Sequence, residues 1–524
     1  MKTIRLIGII LIVGLVAWGF LARKASRPAE EYSVPAGAAV GDLTSLLPCE
    51  FKPDKKKVYN AECGILSVPE NWDDEKSRLI ALPVVRIPAT GKNPLEPVFV
   101  LLGGPGTSNF LISPTDWLIE NHDVVLVGYR GVDGSTDLNC PEVSEISANY
   151  VGTGFLSREA NEELVNAALH CAQDLEAQGI DLNGYNAAAV VMDMEAAREA
   201  LEYEKINLWS ESYGTRVAQI YAYMYPENLH RVLMIGLNPP GHFLYDPADF
   251  DELIEYMSLL CSEDIECQTQ TQNMAQAIYD VNHNMPEHWL FFPIDSGTIR
   301  LIVQTMFYDT SQMPMIIDAY LAAANGDPSG LALLNFIAPF AVPFEMFHLG
   351  DLLNKGGSLD QGYYQGLETI ALGDSTMGAP LAEWIWPMSA GWPVEMVDPS
   401  LRKLQESDVD MLIVNGSIDF STPPQSIKEI ESYYHHAQTV ILSEFSHTGD
   451  VRNLQPDAFE RLVTSYYSSG IADASFFEYQ PLSFTPKMSM VTLAKIVLTG
   501  LVLLPSLLVV VIVRIIRRIG LAHI

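Results

Sequence analysis

The stretch INLWSESYGTRVAQIYAYMYP, residues 206–226, joins a short apolar run to a helix-forming segment through a very short turn. Ile206–Trp209 predicts a buried strand, and Tyr213–Tyr225 predicts a helix that ends before Pro226. Ser212 lies between them, with a small residue two positions before it and another two positions after it. A tight strand-to-helix turn requires small residues at those two positions, so the pattern predicts that Ser212 is the nucleophile of a nucleophile elbow.

The centre of this turn is better placed at Ser212 than at Ser210. Ser210 stands where glycine is usual, but it is still small, and Gly214 fits the second position. A turn centred on Ser210 would place Leu208 at a flank where a large side chain does not fit. The helix that follows also directs its positive N-terminal end at the turn, which favours negative charge there.

The sequence on either side alternates between short apolar runs and helix-forming segments. The runs are Val98–Leu102, Val124–Val127, Val232–Leu237, Met411–Val414 and Thr439–Leu442. Strands that are apolar throughout and separated by helices are typical of a parallel sheet covered on both faces. We therefore predict an α/β fold, which begins with a β-rich stretch over about residues 58–87.

The alternation stops near residue 241 and returns near residue 411. Residues 246–405 have a mostly helical pattern that is rich in Met, Phe, Tyr and Trp. We predict that this segment is a helical cap inserted into an α/β core, whose two parts are residues 46–245 and 406–486.

A glycine-rich loop follows the first of these strands. Gly103-Gly104-Pro105-Gly106 allows backbone N–H groups to approach a ligand closely. A donor from this loop at Gly104, together with the N–H of Tyr213, would form an oxyanion hole.

Two titratable side chains follow the last two predicted strands. Asp419 follows the first of these strands, and His447 follows the second. Because the carboxyl ends of parallel strands meet at one edge of a sheet, we expect both side chains to lie near Ser212. The chain order Ser, Asp, His predicts a catalytic triad. Asp450 is too close in sequence to His447 to be the usual acid, and Asp408 precedes its strand.

Several short motifs around these candidates resemble a known family. The motifs are Gly103-Gly104-Pro105-Gly106, Tyr129-Arg130-Gly131 with Gly134-Ser135, Ser212-Tyr213-Gly214-Thr215, Cys63-Gly64 with Val68-Pro69 and Trp72, and Cys140-Pro141. They resemble the tripeptidyl-aminopeptidase and proline-iminopeptidase branch of the α/β-hydrolases, over roughly residues 46–245 and 406–470. The resemblance implies an α/β-hydrolase fold and cleavage of peptides from the N-terminus. It assigns Ser212 as nucleophile, His447 as base and acid, and Asp419 as the residue that orients the histidine.

The sequence departs from the family pattern at Ser210, at Gly128-Tyr129 and at Ser446. These departures leave the hydrolase interpretation intact but weaken the inference about the substrate. Two alternatives stay open: a carboxylesterase that uses the same triad, since esters and amides need the same groups, and a non-catalytic interaction protein on a hydrolase scaffold.

An exopeptidase acting from the N-terminus must hold a cationic α-amino group, and a partly buried carboxylate does this best. Because the cap covers the nucleophile in this architecture, the acid is expected from the cap. Glu345, Glu368 and Glu383 have aromatic or apolar sequence neighbours and are the candidates.

The composition excludes some classes of partner. The net charge is −34, with 65 acidic against 31 basic residues, which argues against binding to nucleic acid. The sequence implies no cofactor, and six cysteines without a CxxC or a His-Cys cluster make a metal site improbable. Sequential pairing closes only short loops, so we favour Cys49–Cys63, Cys140–Cys171 and Cys261–Cys267 among the fifteen possible sets.

Both ends of the chain contain apolar runs with basic flanks. We expect residues 1–24 to be a signal segment or membrane anchor and residues 25–45 a linker. Residues 487–524 are expected to hold a transmembrane helix over Ile496–Val513 and a basic tail. Basic residues after that helix favour a cytoplasmic C-terminus, so the catalytic domain is expected on the outer side of the cytoplasmic membrane, where its cysteines would be oxidised.

Overall fold

A computed structural model describes residues 32–54, 56–240, 246–342, 344–360 and 371–500. In this part of the chain a single large sheet contains nine strands in the order β1-β2-β3-β5-β4-β6-β7-β10-β11. The strands are β1 Leu47–Phe51, β2 Tyr59–Pro69, β3 Leu79–Ile87, β4 Leu95–Leu101, β5 His122–Val127, β6 Ile206–Glu211, β7 Leu229–Ile235, β10 Met411–Gly416 and β11 Ala437–Leu442.

The sheet is antiparallel at one end and parallel through its centre. Strands β1, β2, β3 and β5 pair antiparallel, whereas β5, β4, β6, β7, β10 and β11 pair parallel. In the central strands β6 and β10 every residue is buried, because helices cover both faces. The α/β-hydrolase arrangement predicted from the sequence is confirmed.

Helices occupy most of the remaining described chain. They are α1 Asp116–Asn121, α2 Pro141–Tyr150, α3 Arg158–Ala177, α4 Ala187–Ala200, α5 Tyr213–Met224, α6 Pro247–Glu263, α7 Cys267–Gln270, α8 Met274–His283, α9 Ser296–Met306, α10 Met313–Ala324, α11 Ser329–Ala341, α12 Leu349–Asp360, α13 Pro380–Gly391, α14 Gln425–Ile430, α15 Thr448–Asn453, α16 Pro456–Ser469 and α17 Met490–Gly500. Short 3-10 turns lie at Leu182–Gly184, Pro226–Asn228, Phe344–Met346 and Pro399–Arg402.

Helices α6 to α13 lie in the chain between β7 and β10, where the sequence predicts a cap. This segment also contains a small hairpin of β8 His288–Trp289 and β9 Phe292–Pro293, which the helical pattern did not predict. The hairpin packs against α11, where the rings of Phe292 and Phe336 meet edge to face.

The predicted linker is partly ordered against the core. Gly41 N donates to Ser67 O at 2.8 Å, and Thr44 N donates to Ile65 O at 3.0 Å. These bonds extend the antiparallel edge of the sheet beyond β1, so residues 41–44, within the segment predicted as a linker, lie against the core. Residues 1–31, which include the predicted N-terminal anchor, lie outside the described residues.

The C-terminal segment begins as a helix packed on the cap. Met490 N donates to Asp318 Oδ2 at 2.6 Å, and Lys495 pairs with Asp327 at 2.5 Å. Ala494 and Leu498 are fully buried. Residues 501–513 of the predicted transmembrane run lie outside the described residues. Within the described ones, the segment Ser329–Met346 is long and apolar enough to cross a membrane, and 53% of it is buried inside the protein.

The six cysteines form three disulfide bonds, Cys49–Cys63, Cys140–Cys171 and Cys261–Cys267. This is the sequential pairing favoured from the sequence. The second bond joins the start of α2 to α3 beside the central sheet, and the third closes the turn between α6 and α7.

Candidate active site

The turn after β6 has the geometry of a nucleophile elbow. Ser212 adopts φ 52° and ψ −125°, a region that non-glycine residues rarely enter. A Cβ on Gly214 would lie 2.1 Å from Leu101 O, so only glycine allows α5 to start against the end of β4. The strained turn therefore depends on a glycine two residues after the serine.

Ser210 has a structural role in the strand below the elbow. Its hydroxyl is fully buried and donates to Leu233 O on β7 at 2.7 Å. The residue that replaces the usual glycine thus adds a bond between β6 and β7, and its side chain is directed at the sheet.

Asp419 and His447 meet beyond the ends of β10 and β11. His447 Nδ1 lies 2.9 Å from Asp419 Oδ2, and Asp419 is fully buried. Asp419 Oδ1 accepts from Ser421 N at 2.8 Å and Thr422 N at 2.9 Å. These bonds fix the carboxylate. The imidazole is therefore held through its Nδ1 atom, and its Nε2 atom is available for proton transfer.

The imidazole fits against a glycine at the end of β7. A Cβ on Gly236 would lie 2.9 Å from His447 Cε1, so any other residue there would displace the ring. His447 N donates to Tyr308 O at 3.3 Å, which ties the histidine to the end of the cap helix α9. The cap therefore helps to set the position of the histidine.

The rival acids lie elsewhere. Asp450 Oδ2 accepts from Thr310 N at 3.1 Å and from Ser446 N at 3.0 Å, and burial raises its pKa. Its carboxylate therefore braces the loop that carries His447. Asp408 pairs with His435 at 2.7 Å on the surface.

The glycine-rich loop passes directly over Ser212. A Cβ on Gly103 would lie 2.8 Å from Ser212 Cβ, so the loop and the elbow touch. The Thr107 hydroxyl donates to Gly103 O at 2.6 Å. Because the peptide between Gly103 and Gly104 is trans, its N–H points away from Thr107. The Thr107 bond thus fixes the direction of the predicted oxyanion donor at Gly104.

The cap holds the same loop from the other side. Gly106 N donates to Asp351 Oδ2 at 3.1 Å, and His348 N donates to Gly106 O at 2.8 Å. Asp351 pairs with Lys355 at 2.8 Å, and both side chains are buried. Sequence reasoning missed this pair, because an Asp and a Lys four residues apart on a helix usually lie on an exposed face.

A cavity of about 290 Å³ lies between the core and the cap. Ser212, His447, Gly104 and Tyr213 line it on the core side. The cap side is mostly apolar, although Thr305 and Tyr308 also line it. Six of its apolar lining residues are Leu301, Val342, Phe344, Leu381, Trp384 and Ile385. None of the described residues that line the cavity carries a carboxylate.

The phase of helix α13 explains which of its residues reach this cavity. Leu381, Trp384 and Ile385 stand at i, i+3 and i+4 and therefore share one face. Trp384 Nε1 donates to Ser147 Oγ at 3.2 Å, which leaves the rest of the indole for the cavity. This spacing was visible in the sequence, but the sequence did not show which face of the helix lines the cavity.

The three predicted amine-binding acids do not meet at this cavity. Glu383 lies on another face of α13 and forms a partly buried ion pair with Arg300. Glu345 lies in the turn Phe344–Met346 and is exposed, and it is not among the lining residues. Glu368 lies in residues 361–370, outside the described chain.

One group of side chains has metal-ligand character away from the cavity. Ligand atoms of Glu142, His170 and Asp174 lie within 4.8 Å of one another on α2 and α3. Two of the three residues are exposed, and such surface groups are common without an ion.

Comparisons with known proteins agree with this fold. The model of the alpha/beta hydrolase fold family matches residues 96–255, and the model of the TAP-like protein family matches residues 381–475. The chain is 22% identical to tripeptidyl aminopeptidase of Streptomyces lividans over 463 residues, which is 79% of this chain and 82% of that protein.

Two mycobacterial proteins match shorter regions. Serine protease Hip1 of Mycobacterium tuberculosis is 27% identical over 224 residues, 38% of this chain and 41% of that protein. Carboxylesterase B of the same species is 32% identical over 124 residues, 22% of this chain and 24% of that protein. The matches thus span less than half the length of these two relatives.

Proposed function

We propose that this chain, which has the α/β-hydrolase fold and is related to the tripeptidyl aminopeptidases, is a serine peptidase that releases residues or short peptides from peptide N-termini. The observation that carries the proposal is the contact of 2.9 Å between His447 Nδ1 and Asp419 Oδ2 at a cavity that Ser212 also lines.

In the proposed reaction, Ser212 Oγ attacks the substrate carbonyl while His447 Nε2 takes the hydroxyl proton. Asp419 keeps the other imidazole proton on Nδ1 and stabilises the charged ring. The N–H groups of Gly104 and Tyr213 stabilise the oxyanion. His447 then protonates the leaving amine, and an acyl-enzyme remains on Ser212. Water, activated by the same histidine, releases the acyl group and restores the serine.

The cap supports exopeptidase action. Among the described residues, its mostly apolar side chains line the cavity opposite Ser212, and a covered site of this kind favours chain ends over the middle of a long chain. The match to tripeptidyl aminopeptidase over 82% of that protein supports the same interpretation. Of the predicted amine-binding acids, Glu368 is the one whose position the described residues leave open.

A panel of chromogenic substrates tests the proposal with the full-length chain. Free-amine aminoacyl and tripeptidyl anilides should be cleaved faster than the same peptides with an acetylated N-terminus. Glu368→Gln should raise KM for the free-amine substrates alone, with Glu345→Gln as the matched control on an exposed cap residue. Equal cleavage of blocked and free peptides would contradict exopeptidase action.

A carboxylesterase is the second candidate, and one observation favours it. The described lining of the cavity is mostly apolar on its cap side and has no carboxylate to hold an α-amino group. The chain also matches carboxylesterase B over 124 residues. If simple acyl esters are hydrolysed while every anilide of the panel is left intact, this candidate replaces the peptidase.

We further propose that the catalytic domain lies outside the cytoplasmic membrane and is anchored through the apolar run Ile496–Val513. Three disulfide bonds support an oxidising compartment. A reporter fused after Ile524 should be active only on the cytoplasmic side, and activity on the outer side would contradict this topology.

A further inference from the structure

Helix α12 of the cap contains a buried ion pair beside the catalytic core. Asp351 and Lys355 are 0% and 1% exposed, and the Lys355 Nζ lies 2.8 Å from Asp351 Oδ1. Burial raises the pKa of Asp351, and the neighbouring Lys355 ammonium opposes that rise. Two charges removed from water are costly to keep, so such a pair is weak evidence for stability and suggests another role.

The pair is connected to the core through backbone groups. Lys355 Nζ donates to Arg130 O at 3.2 Å, beyond the end of β5. Asp351 N donates to Leu138 O at 3.0 Å. The carboxylate of Asp351 is thus held by its own backbone and by a lysine that is itself bonded to the core.

The carboxylate uses this fixed position to hold the glycine-rich loop. Asp351 Oδ2 accepts the Gly106 N–H at 3.1 Å. The loop lies so close to the helix that a Cβ on Gly106 would be 2.8 Å from His348 O and 3.1 Å from Leu352 Cβ. Gly106 therefore cannot shift toward α12. Its N–H bond to Asp351, together with the bond from His348 N to its carbonyl oxygen, opposes a shift away from the helix.

We propose that Asp351, supported by Lys355, is a positioning residue that fixes the oxyanion loop from the cap side. The inference rests on the proposed function, since Gly104 is the expected oxyanion donor two residues before Gly106. Thr107 sets the direction of the Gly104 N–H from within the loop, and Asp351 anchors the loop as a whole. The cap then sets catalytic geometry in addition to covering the cavity.

The position of an oxyanion donor has a large effect on rate. Removal of one donor costs about 10²–10³ in kcat, and a misplacement of about 1 Å costs up to about 10². Loss of the anchor at Gly106 is therefore expected to lower kcat by roughly 10–100-fold and to change KM by less than about threefold, because the cavity walls stay in place.

The test separates positioning from stability with double variants of the full-length chain. In D351L/K355M both charges are replaced by apolar side chains of similar size, so no charge is left buried and unpaired. In D351N/K355M the charges are also removed, but the amide oxygen introduced at position 351 still accepts the Gly106 N–H. Both variants are expected to unfold within about 5 °C of the unmodified protein.

The expected result is a kcat lowered at least tenfold in D351L/K355M and restored to within about threefold of the unmodified enzyme in D351N/K355M. The affinity for a boronic acid, which mimics the tetrahedral intermediate, should fall and recover in the same way. Asn354→Leu is the control: Asn354 lies on the same helix and donates to Leu182 O and Tyr185 O, so its loss should lower the unfolding temperature without lowering kcat.

Equal kcat and equal boronate affinity in the two double variants would overturn the inference. If a double variant does not fold, amide hydrogen exchange of the peptide containing Gly106 is measured in Asp351→Ala, which has no acceptor at this position, and in Asn354→Leu. Equal protection of this peptide in Asp351→Ala and in the control would also overturn the inference. If the unmodified protein hydrolyses no substrate and binds no boronate, the proposed function has failed. If the unmodified protein is active but the two double variants have the same kcat, the positioning role alone has failed.

Discussion

Replacement of Asp419 by asparagine should nearly abolish catalysis without unfolding the protein, and the structure determines how. Asp419 Oδ1 accepts two backbone N–H groups, from Ser421 at 2.8 Å and Thr422 at 2.9 Å. The oxygen of an asparagine must stay at this position, since an NH2 group there would face two donors. Its NH2 group must therefore take the place of Oδ2, 2.9 Å from His447 Nδ1.

That orientation forces the wrong tautomer on the histidine. Nδ1 must accept from the new amide, so the imidazole proton moves to Nε2, the atom that has to take the proton of Ser212. A wrong tautomer at this position in a Ser-His-Asp triad lowers kcat by about 10⁴. The Thr422 hydroxyl, 2.8 Å from Oδ2, can accept from the amide, so the unfolding temperature should change by only a few degrees.

The assay is steady-state hydrolysis of a chromogenic substrate, with thermal unfolding measured on the same preparation. Asp450→Asn is the matched control, because Asp450 is the rival acid and an asparagine there can still accept from Thr310 N and Ser446 N. We expect the control to keep at least a tenth of kcat. If the Asp419→Asn enzyme keeps more than about 1% of kcat, Asp419 does not set the tautomer. The same conclusion follows if kcat falls as far in Asp450→Asn as in Asp419→Asn.

Two other predictions concern stability. Arg130 is fully buried and binds Asp193 through two nitrogens, so Arg130→Met should destabilise the fold by about 3–5 kcal/mol by leaving that carboxylate unpaired. Arg130→Lys should not restore the stability, because lysine cannot form the bidentate contact. A change below about 1 kcal/mol in the free energy of urea unfolding of Arg130→Met would contradict this prediction. Burial, followed by the carboxylate of Asp246, raises the pKa of Asp249 to about 6. The protonated carboxyl of Asp249 contributes its whole stabilisation below the unfolded-state pKa, near 4, and this contribution is lost as the pH rises through 6. Asp249→Asn should therefore stabilise the protein more at pH 8 than at pH 5. The difference between the two pH values should be about 1 kcal/mol at most, because the group is partly exposed. The same stability difference at both pH values in thermal unfolding would show that Asp249 is not perturbed.

The fold was predictable where local signals agreed. Strand β6, the turn at Ser212 and helix α5 follow one another within a stretch of about twenty residues, and each is marked by its own residue pattern. The chain order of the last two strands then places Asp419 and His447 at the same edge of the sheet, since parallel strands share that edge. No long-range contact had to be guessed for these residues.

The cap was predictable in kind but not in detail. Its helical pattern is clear, yet the face of α13 that meets the cavity depends on packing against distant helices. Glu383 looked suitable because tryptophans surround it in the sequence, but a helix turns by about 100° per residue, and its side chain instead meets Arg300. The side chains of adjacent residues on a helix therefore point in different directions.

The anchoring of the oxyanion loop was not predictable for a related reason. Gly106 and Asp351 are 245 residues apart, and neither residue signals the other. The antiparallel contact of residues 41–44 with β2 was also missed, because the composition of residues 25–45 is that of a tether and only pairing with a strand orders it.

The assignment of Ser212 as the nucleophile, on which the proposed mechanism depends, has a direct test in covalent labelling. The full-length protein is treated with a fluorophosphonate probe, digested and analysed by mass spectrometry, alongside Ser212→Ala and Ser210→Ala. We expect one probe per chain, attached at Ser212, with no labelling of Ser212→Ala and retained labelling of Ser210→Ala. Labelling that persists in Ser212→Ala and disappears in Ser210→Ala would contradict the assignment.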